Sequence, residues 1–248
     1  MRDVAGPPGA TAVLLLHGLT AVADLNWFGV FDPLGPEFRV VSAEQRGAAR
    51  GLEALADDAV AVADALGIER FVVAGYSMGG AVAQLVWRRH PARVIGLVLC
   101  ATAGRFAVTR GERVKAALLP AASVMARLAP SLGRRYVGRT LISRFDGLPW
   151  RDWAVAELAR HHPATMLAYA AALGRFSSEP WISEVDVPTV VAVPTADRLV
   201  PTDRQLRLAR SIPGAQVLSV DGDHGVFVTG HAAFADALLE ACRRVTSR

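Results

Sequence analysis

The chain has 248 residues, 52% of them apolar, and a formal net charge of +4. This length and composition suit one folded domain, or a core with an insertion, and exclude a disordered protein. The positive charge is concentrated between residues 104 and 179, where 12 Lys or Arg stand against five acidic residues. Because neither a recognition module nor interleaved aromatic residues accompany these charges, we do not expect the protein to bind nucleic acid.

Apolar runs and helical patterns alternate along the chain. Near-continuous Val and Leu runs are typical of parallel strands that are covered on both faces. We predict strands at residues 11–18, 38–44, 71–77, 94–102, 188–195 and 215–222. Helical patterns span residues 52–67, 78–91, 202–214 and 232–245. This alternation predicts an α/β fold with a doubly wound, mostly parallel sheet of about six strands.

Residues 104–179 interrupt this alternation. Apolar residues recur there at helical spacing, so we predict a mostly helical cap, or lid, inserted into a core formed by residues 1–103 and 180–248. The apolar stripe of the cap consists of Val114, Leu118, Ala121, Met125 and Leu128. Two compatible interpretations stay open: the stripe packs inside the subdomain, or it lies on a lid and faces a substrate.

Ser77 lies between Gly75 and Gly79, directly after a predicted strand and directly before a predicted helix. A G-x-S-x-G pattern in this strand–turn–helix setting is what a nucleophile elbow requires. The strand and helix backbones come close together in such a turn, so the flanking residues must be small and the serine is held in a strained conformation. We therefore predict that Ser77 is a nucleophile.

A serine nucleophile needs a base, and the base needs an acid that orients it. His224 follows the last predicted strand and Asp197 follows the strand before it. We predict that Ser77, His224 and Asp197 form a catalytic triad, with Asp223 as an alternative acid. The other candidate bases fall near helix ends or in the cap, where we expect no catalytic role: His90, His161, His162 and His231.

Negative charge that develops on a substrate oxygen needs fixed donors, typically two backbone amides. One should be the N–H of Met78, at the start of the helix, where the helix dipole adds to the effect. The other should come from the loop after the first predicted strand, where Leu19 is the candidate. We expect His17 to order this loop rather than to act as a base. Trp27 follows the loop and either lines the substrate pocket or packs the loop.

Four motifs, LLLHGLT, GYSMGGAVAQ, PTADRLVP and DGDHGVF, occur in this order on the predicted elements. With them the chain resembles the α/β-hydrolase superfamily across nearly its whole length. It looks most like the small serine hydrolases that include carboxylesterases, lactonases, C–C bond hydrolases and cofactor-free haloperoxidase-like enzymes. The resemblance implies Ser77, Asp197 and His224 as the triad, and the amides of Leu19 and Met78 as the oxyanion hole.

Two features depart from the family pattern. Only about ten residues precede the first predicted strand, whereas family members usually begin with an antiparallel pair of strands, so we expect a sheet that is short at this edge. The loop that usually reads D-x-R-G-x-G reads AEQRGAARG here, with Glu44 and Ala48 at altered positions. Both changes concern the sheet edge and the fit of the substrate more than the triad.

We predict a cytoplasmic enzyme, because the first residues, MRDVAGPPGA, contain no apolar signal core and no transmembrane segment is evident. No metal or organic cofactor is expected, since none of the six histidines forms an H-x-x-x-H or H-E-x-x-H pair. Cys100 and Cys242 lie in apolar settings typical of buried thiols.

The predicted reaction is hydrolysis of an ester-like bond (carboxylic ester, lactone or thioester) in a small, largely apolar substrate through an acyl-enzyme. Trp150, Trp153 and Trp181 favour a hydrophobic substrate, whereas the arginines of the cap favour a substrate with an anionic group. Two alternatives stay open. The same triad could serve C–C bond hydrolysis, cyclisation or acyl transfer, or the chain could be a binding protein without catalysis.

Overall fold

The structure, a computed structural model, describes residues 1–19, 22–45, 51–128, 147–160 and 162–247. Its strands are β1 (Arg2–Val4), β2 (Ala12–Leu16), β3 (Arg39–Ser42), β4 (Phe71–Tyr76), β5 (Val94–Cys100), β6 (Thr189–Pro194) and β7 (Gln216–Val220). They form one sheet in the order β1-β3-β2-β4-β5-β6-β7. Every neighbouring pair is parallel except β1 and β3, which are antiparallel. The predicted fold, with its mostly parallel sheet, is confirmed.

The sheet built by the described residues has seven strands, one more than predicted. The additional strand is β1, which pairs with β3 in a register that sets Asp3 opposite Val41. Three residues of mixed polarity do not stand out as an apolar run, so the sequence pattern does not reveal this strand. Arg39 donates from Nε and Nη2 to the two carboxylate oxygens of Asp3, at 3.1 and 2.7 Å. The N-terminal edge is therefore short, as predicted, but it keeps an antiparallel pair.

Helices cover both faces of the sheet. Their bounds are α1 (Ala23–Trp27), α2 (Phe31–Leu34), α3 (Leu52–Ala65), α4 (Met78–Arg89), α5 (Arg110–Leu128), α6 (Arg151–Ala159), α7 (Pro163–Arg175), α8 (Thr202–Ser211), α9 (Val226–Thr229) and α10 (His231–Thr246). Leu14 and Leu16 of β2 pack with α3 and α4 on one face, and Val13 and Leu15 pack with α2 and α10 on the other. Because successive strand side chains point to opposite faces, one apolar strand serves two cores.

Both cysteines are buried thiols without a disulfide, as predicted. Cys100 ends β5, and Cys242 lies in α10 on the same side of the sheet. Burial raises the pKa of the Cys100 thiol to about 12 and also raises that of Cys242. Because the thiolate is the reactive form of cysteine, neither side chain is a nucleophile near neutral pH.

Helices α5, α6 and α7 lie between β5 and β6 in the chain. Helix α5 packs along α7, where Ser123 Oγ donates to the carbonyl of Ala164 at 2.8 Å. Helix α7 in turn contacts the core, since Tyr169 Oη donates to the carbonyl of Gln45 at 2.6 Å. Considering only the described residues, none of the helices has the length and apolar character that a membrane crossing needs.

The described residues of the apolar stripe predicted for the cap are exposed. Val114, Leu118 and Met125 are 55%, 64% and 61% exposed, and Ala121 is exposed as well. The side chain of Leu128 lies outside the described residues. The face of α5 that packs on α7 carries Ala116, Leu119, Ser123 and Ala126. This face is partly buried, and its small residues allow close approach, as between Ala116 and Gly174, which periodicity alone does not reveal.

Candidate active site

Ser77 occupies a sharp turn between β4 and α4. Its φ of 54° lies in the left-handed region, which is strained for a residue with a side chain. A Cβ on Gly75 would lie 2.2 Å from the carbonyl oxygen of Gly79, and a Cβ on Gly79 would lie 1.9 Å from that of Leu16. Both positions therefore require glycine, and the turn has the geometry of the predicted nucleophile elbow.

The structure brings Ser77, His224 and Asp197 together at one edge of the sheet. They follow β4, β7 and β6, whose carboxyl ends lie at this edge. Ser77 Oγ is 3.0 Å from His224 Nε2, and His224 Nδ1 is 2.7 Å from Asp197 Oδ2. Since a carboxylate can only accept, His224 carries its proton on Nδ1, and Nε2 is left to accept from the Ser77 hydroxyl.

The carboxylate of Asp197 is fully buried and hydrogen-bonded at both oxygens. Oδ1 accepts from the backbone N–H groups of Leu199 and Val200, each at 2.9 Å. Oδ2 accepts from His224 and, at 3.0 Å, from Nε2 of Gln205. Each carboxylate oxygen of Asp197 thus has two hydrogen-bond donors, which hold the group in one orientation.

Tyr76 fixes the backbone of the loop that carries His224. Its hydroxyl donates to the carbonyl of His224 at 2.8 Å, and its ring contacts the imidazole edge-on at a centroid distance of 5.6 Å. Burial raises the pKa of the Tyr76 phenol well above its usual value, so the hydroxyl keeps its proton and remains a donor. The imidazole is thus oriented from two sides, by Asp197 and by Tyr76.

Asp223, the alternative acid, does not orient His224 in this structure. Its side chain is exposed, and Oδ1 accepts from the N–H of Gly225 at 2.7 Å. The carboxylate that contacts His224 Nδ1 is that of Asp197, at 2.7 Å.

The remaining histidines have other partners. His90 Nε2 is 2.8 Å from Asp57 Oδ1, His162 caps the N-terminus of α7 by accepting from the N–H of Ala164, and His231 packs against aromatic rings at the start of α10. His161 lies outside the described residues. None of the three described side chains takes part in the hydrogen-bonded series at Ser77.

His17 and Glu44 order the loops beside the nucleophile. His17 is fully buried; its Nδ1 is 2.8 Å from the carbonyl of Gly18, and its Nε2 accepts from the N–H of Gln45 at 3.0 Å. Glu44 accepts from the N–H of Ala23, the first residue of α1, at 2.8 Å. The altered residue Glu44 therefore anchors α1, whereas Ala48 lies outside the described residues.

Of the two residues predicted to supply oxyanion amides, Met78 directly follows Ser77 and Leu19 lines the same cavity. Met78 is the first residue of α4, and the first N–H groups of a helix have no partner within the helix. Leu19 and Gly18 line the same cavity as Ser77. The N–H of Gly18 donates to Asn26 Oδ1 at 2.8 Å, which fixes the loop that carries Leu19. Asn26 could not be identified from the sequence, because its contact with Gly18 depends on how α1 folds back onto this loop.

A cavity of about 290 Å³ opens beside Ser77 and His224. Its walls come from the strand ends, from the loops after β2 and β6, from α9, and from the segment between β5 and β6. Most of the lining side chains are apolar. They are those of Leu19, Tyr76, Phe106, Ala170, Leu173, Leu199, Val200 and Phe227. Apart from Ser77, Asn26 and His224, the described lining offers a substrate little polar contact.

The first of the two interpretations offered for Trp27, that it lines the substrate pocket, is wrong. Its side chain is fully buried and does not belong to the cavity lining. It stacks on Phe234 at a centroid distance of 6.1 Å and meets Tyr76 edge-on at 6.4 Å. The turn of helix α1 directs the indole into the core beneath the sheet edge, so Trp27 supports the site by packing.

Within the described ranges, no group of three or more His, Cys, Asp or Glu side chains is arranged to hold a metal ion.

Comparison with known proteins gives the family. The chain matches the family described as alpha/beta hydrolase fold over residues 11–231. A protein of Agrobacterium fabrum (strain C58) named "Putative carbamate hydrolase RutD" is 28% identical over 243 residues, which cover 93% of this chain and 92% of that protein. The "Poly(3-hydroxyalkanoate) depolymerase" of Ectopseudomonas oleovorans is 27% identical, with coverage of 98% and 88%.

Solved structures share the same architecture. The crystal structure of the enol-lactonase from Burkholderia xenovorans LB400 has a TM-score of 0.81 at 22% identity, covering 96% of this chain and 94% of that one. At this identity the likeness shows the fold alone. Because the family match spans most of the chain, the protein belongs to the α/β-hydrolase fold family and is a hydrolase of that family.

Proposed function

We propose that the protein is a serine hydrolase that cleaves an ester-like bond, in a carboxylic ester, a lactone or a thioester, through an acyl-enzyme. The observation that carries this proposal is the unbroken hydrogen-bonded series from Ser77 through His224 to Asp197, with distances of 3.0 and 2.7 Å. A nucleophile, a base and an orienting acid in series are what activates a serine hydroxyl near neutral pH.

In the proposed mechanism, Ser77 Oγ attacks the substrate carbonyl carbon while its proton passes to His224 Nε2. Collapse of the tetrahedral intermediate breaks the bond to the leaving alcohol or thiol, which takes that proton from His224. Water then loses a proton to the same imidazole and attacks the acyl group; collapse of this second intermediate breaks the bond to Ser77 Oγ, which takes the proton back from His224 as the acid leaves. Asp197 keeps Nδ1 protonated and stabilises the imidazolium that forms in each half of the reaction.

The negative charge of each tetrahedral intermediate needs donors that are in place before the reaction. We propose the N–H groups of Met78 and Leu19 for this role, because they flank Ser77 on the helix and loop sides of the turn. Loss of one such donor in other hydrolases costs about 3 kcal/mol of transition-state stabilisation. The Gly18–Asn26 hydrogen bond supports the assignment, since it keeps the loop that carries Leu19 in one conformation.

We propose that residues 104–179 form a cap over the site and that the substrate is small and largely apolar. Phe106, Ala170 and Leu173 of this segment contribute to the cavity wall. The cavity volume of about 290 Å³ lies at the small end of the range for ligand sites. An apolar acyl group gains from burial against such walls, whereas a charged one would lose its hydration there.

Carbamate hydrolysis is a second candidate, and the similarity to the RutD relative favours it. The same residues would attack a carbamate carbonyl and form a carbamoyl-enzyme. The described lining supports the ester more strongly, because a carbamate amide would place N–H donors against the apolar side chains of Phe106, Leu173 and Phe227.

Activity measurements separate the candidates. The wild-type protein is tested with p-nitrophenyl esters of increasing acyl length, a lactone, a thioester and an aryl carbamate. We expect the highest kcat/KM with a short or medium acyl ester, and Ser77→Ala should abolish turnover and labelling by a fluorophosphonate. Ser211→Ala removes an exposed serine and is the matched control, which should retain both. A Ser77→Ala variant with wild-type turnover would contradict the proposal, and a preference for the carbamate would favour the second candidate.

A further inference from the structure

We propose that Gln205 is a positioning residue for the acid of the active site, an inference that rests on the proposed function. Gln205 lies in α8, and its side chain is fully buried. Its Nε2 donates to Asp197 Oδ2 at 3.0 Å and to the carbonyl of Val200 at 2.7 Å. No other side chain among the described residues, apart from His224, is seen to donate to this carboxylate.

The contacts of Gln205 fix the rotation of the carboxylate. Backbone amides of Leu199 and Val200 hold Oδ1, and a donor to Oδ2 adds a second point of attachment that restrains rotation about the Cβ–Cγ bond further. Gln205 and the imidazole of His224 both bind Oδ2, at 3.0 and 2.7 Å. Because the same amide group also binds the Val200 carbonyl, the donor is tied to the loop that carries Asp197. With one lone pair of Oδ2 bound by Gln205, the other accepts from Nδ1 of His224.

The amide orientation of Gln205 argues for this role over a purely structural one. Both neighbours of Nε2 are acceptors, so the NH₂ group must face them, and Oε1 is left buried without a hydrogen-bond partner among the described residues. An orphaned buried carbonyl destabilises a fold. Leu208 and Ala209, on the same inward face of α8, show that apolar residues fit there. Gln205 therefore keeps its amide despite the unpaired Oε1, because only the amide can donate to Asp197 Oδ2.

The test replaces Gln205 by Met, which has a similar length and no donor. We expect kcat for a p-nitrophenyl ester to fall roughly tenfold or more, the loss typical of a hydrogen bond to a charged group, with KM unchanged. Gln84→Met is the matched control. Gln84 is an equally buried helical glutamine whose partners, Gly80, Ala103 and Ser178, lie outside the triad. This variant should lose stability but keep kcat.

A second readout does not depend on turnover. The Nδ1 proton shared by His224 and Asp197 should give a low-field proton resonance, identified by its loss in Asp197→Asn. We expect Gln205→Met to shift or broaden this resonance and Gln84→Met to leave it unchanged. If Gln205→Met does not fold, Gln205→Asn, whose shorter amide cannot reach Oδ2, replaces it.

The outcomes separate the two proposals. Wild-type kcat together with an unchanged resonance in the Gln205 variant would overturn the role of Gln205, even if Ser77→Ala is inactive. Conversely, turnover that survives in Ser77→Ala would overturn the proposed function, while the resonance would still decide whether Gln205 positions Asp197.

Discussion

Replacement of Asp197 by Asn should abolish most activity without loss of the fold. The Asn oxygen can keep the N–H groups of Leu199 and Val200, which turns the Asn NH₂ group toward His224. His224 must then accept at Nδ1 and carry its proton on Nε2, where it cannot take the proton of Ser77. We expect kcat to fall by about 10⁴-fold, which corresponds to about 5.4 kcal/mol of transition-state stabilisation.

The assay is steady-state hydrolysis of a p-nitrophenyl ester, with thermal unfolding as the test of the fold. Asp223→Asn is the matched control, because this exposed carboxylate lies in the same loop as His224 and contacts Gly225 instead. It should keep wild-type kcat. The reasoning would be refuted if Asp197→Asn stayed within about tenfold of the wild type, or if Asp223→Asn lost activity to the extent expected for Asp197.

Two further predictions concern the support of the site. Asn26→Leu leaves the N–H of Gly18 buried without its acceptor, which costs about 1–3 kcal/mol in loop stability, so kcat for the ester should fall. Asn26→Asp keeps an acceptor and should retain more activity. Equal kcat values for the two variants would contradict this prediction. Trp27→Phe should leave the preference for acyl length unchanged, because Trp27 packs in the core. Leu173→Ala should enlarge the cavity and shift the preference toward longer acyl chains. Both predictions are checked by KM values across the ester series.

The sheet and the placement of the three site residues follow from local sequence patterns. Strands β2 to β6 are recognisable because burial demands near-continuous apolar runs. Strand β7 keeps such a run although most of its residues are exposed, and β1 is not recognisable because three residues carry too little pattern. Ser77, Asp197 and His224 each follow such a run. Because parallel strands present their carboxyl ends at one edge of the sheet, three residues that each follow such a strand are expected to lie at that edge.

The contacts that surround these residues could not be predicted in the same way. Asn26 and Gln205 each bind a group whose position depends on how a loop and a helix return to the sheet, and neither stands in a motif. A weak signal existed for Gln205, which shares the inward face of α8 with Leu208 and Ala209, where a polar residue is unexpected. Trp27 illustrates the converse, since an aromatic residue near a predicted site is as readily a packing residue as a lining one.

Several features of the site are unfavourable for the stability of the fold. Ser77 has a positive φ, which costs about 1–3 kcal/mol, and the orphaned polar atoms of the described residues include Asn26 Nδ2 and Gln205 Oε1. Each of these unfavourable features accompanies a contact that orients a proposed reacting group. The turn presents the Ser77 hydroxyl, Asn26 fixes the loop that carries Leu19, and Gln205 holds Asp197. Such features persist only when the surrounding structure fixes them, and here they rest on the ends of strands that are buried on both faces. A protein on this scaffold that only bound a ligand would have no need of a strained turn that presents a serine hydroxyl to an imidazole, and the arrangement therefore favours catalysis over simple binding.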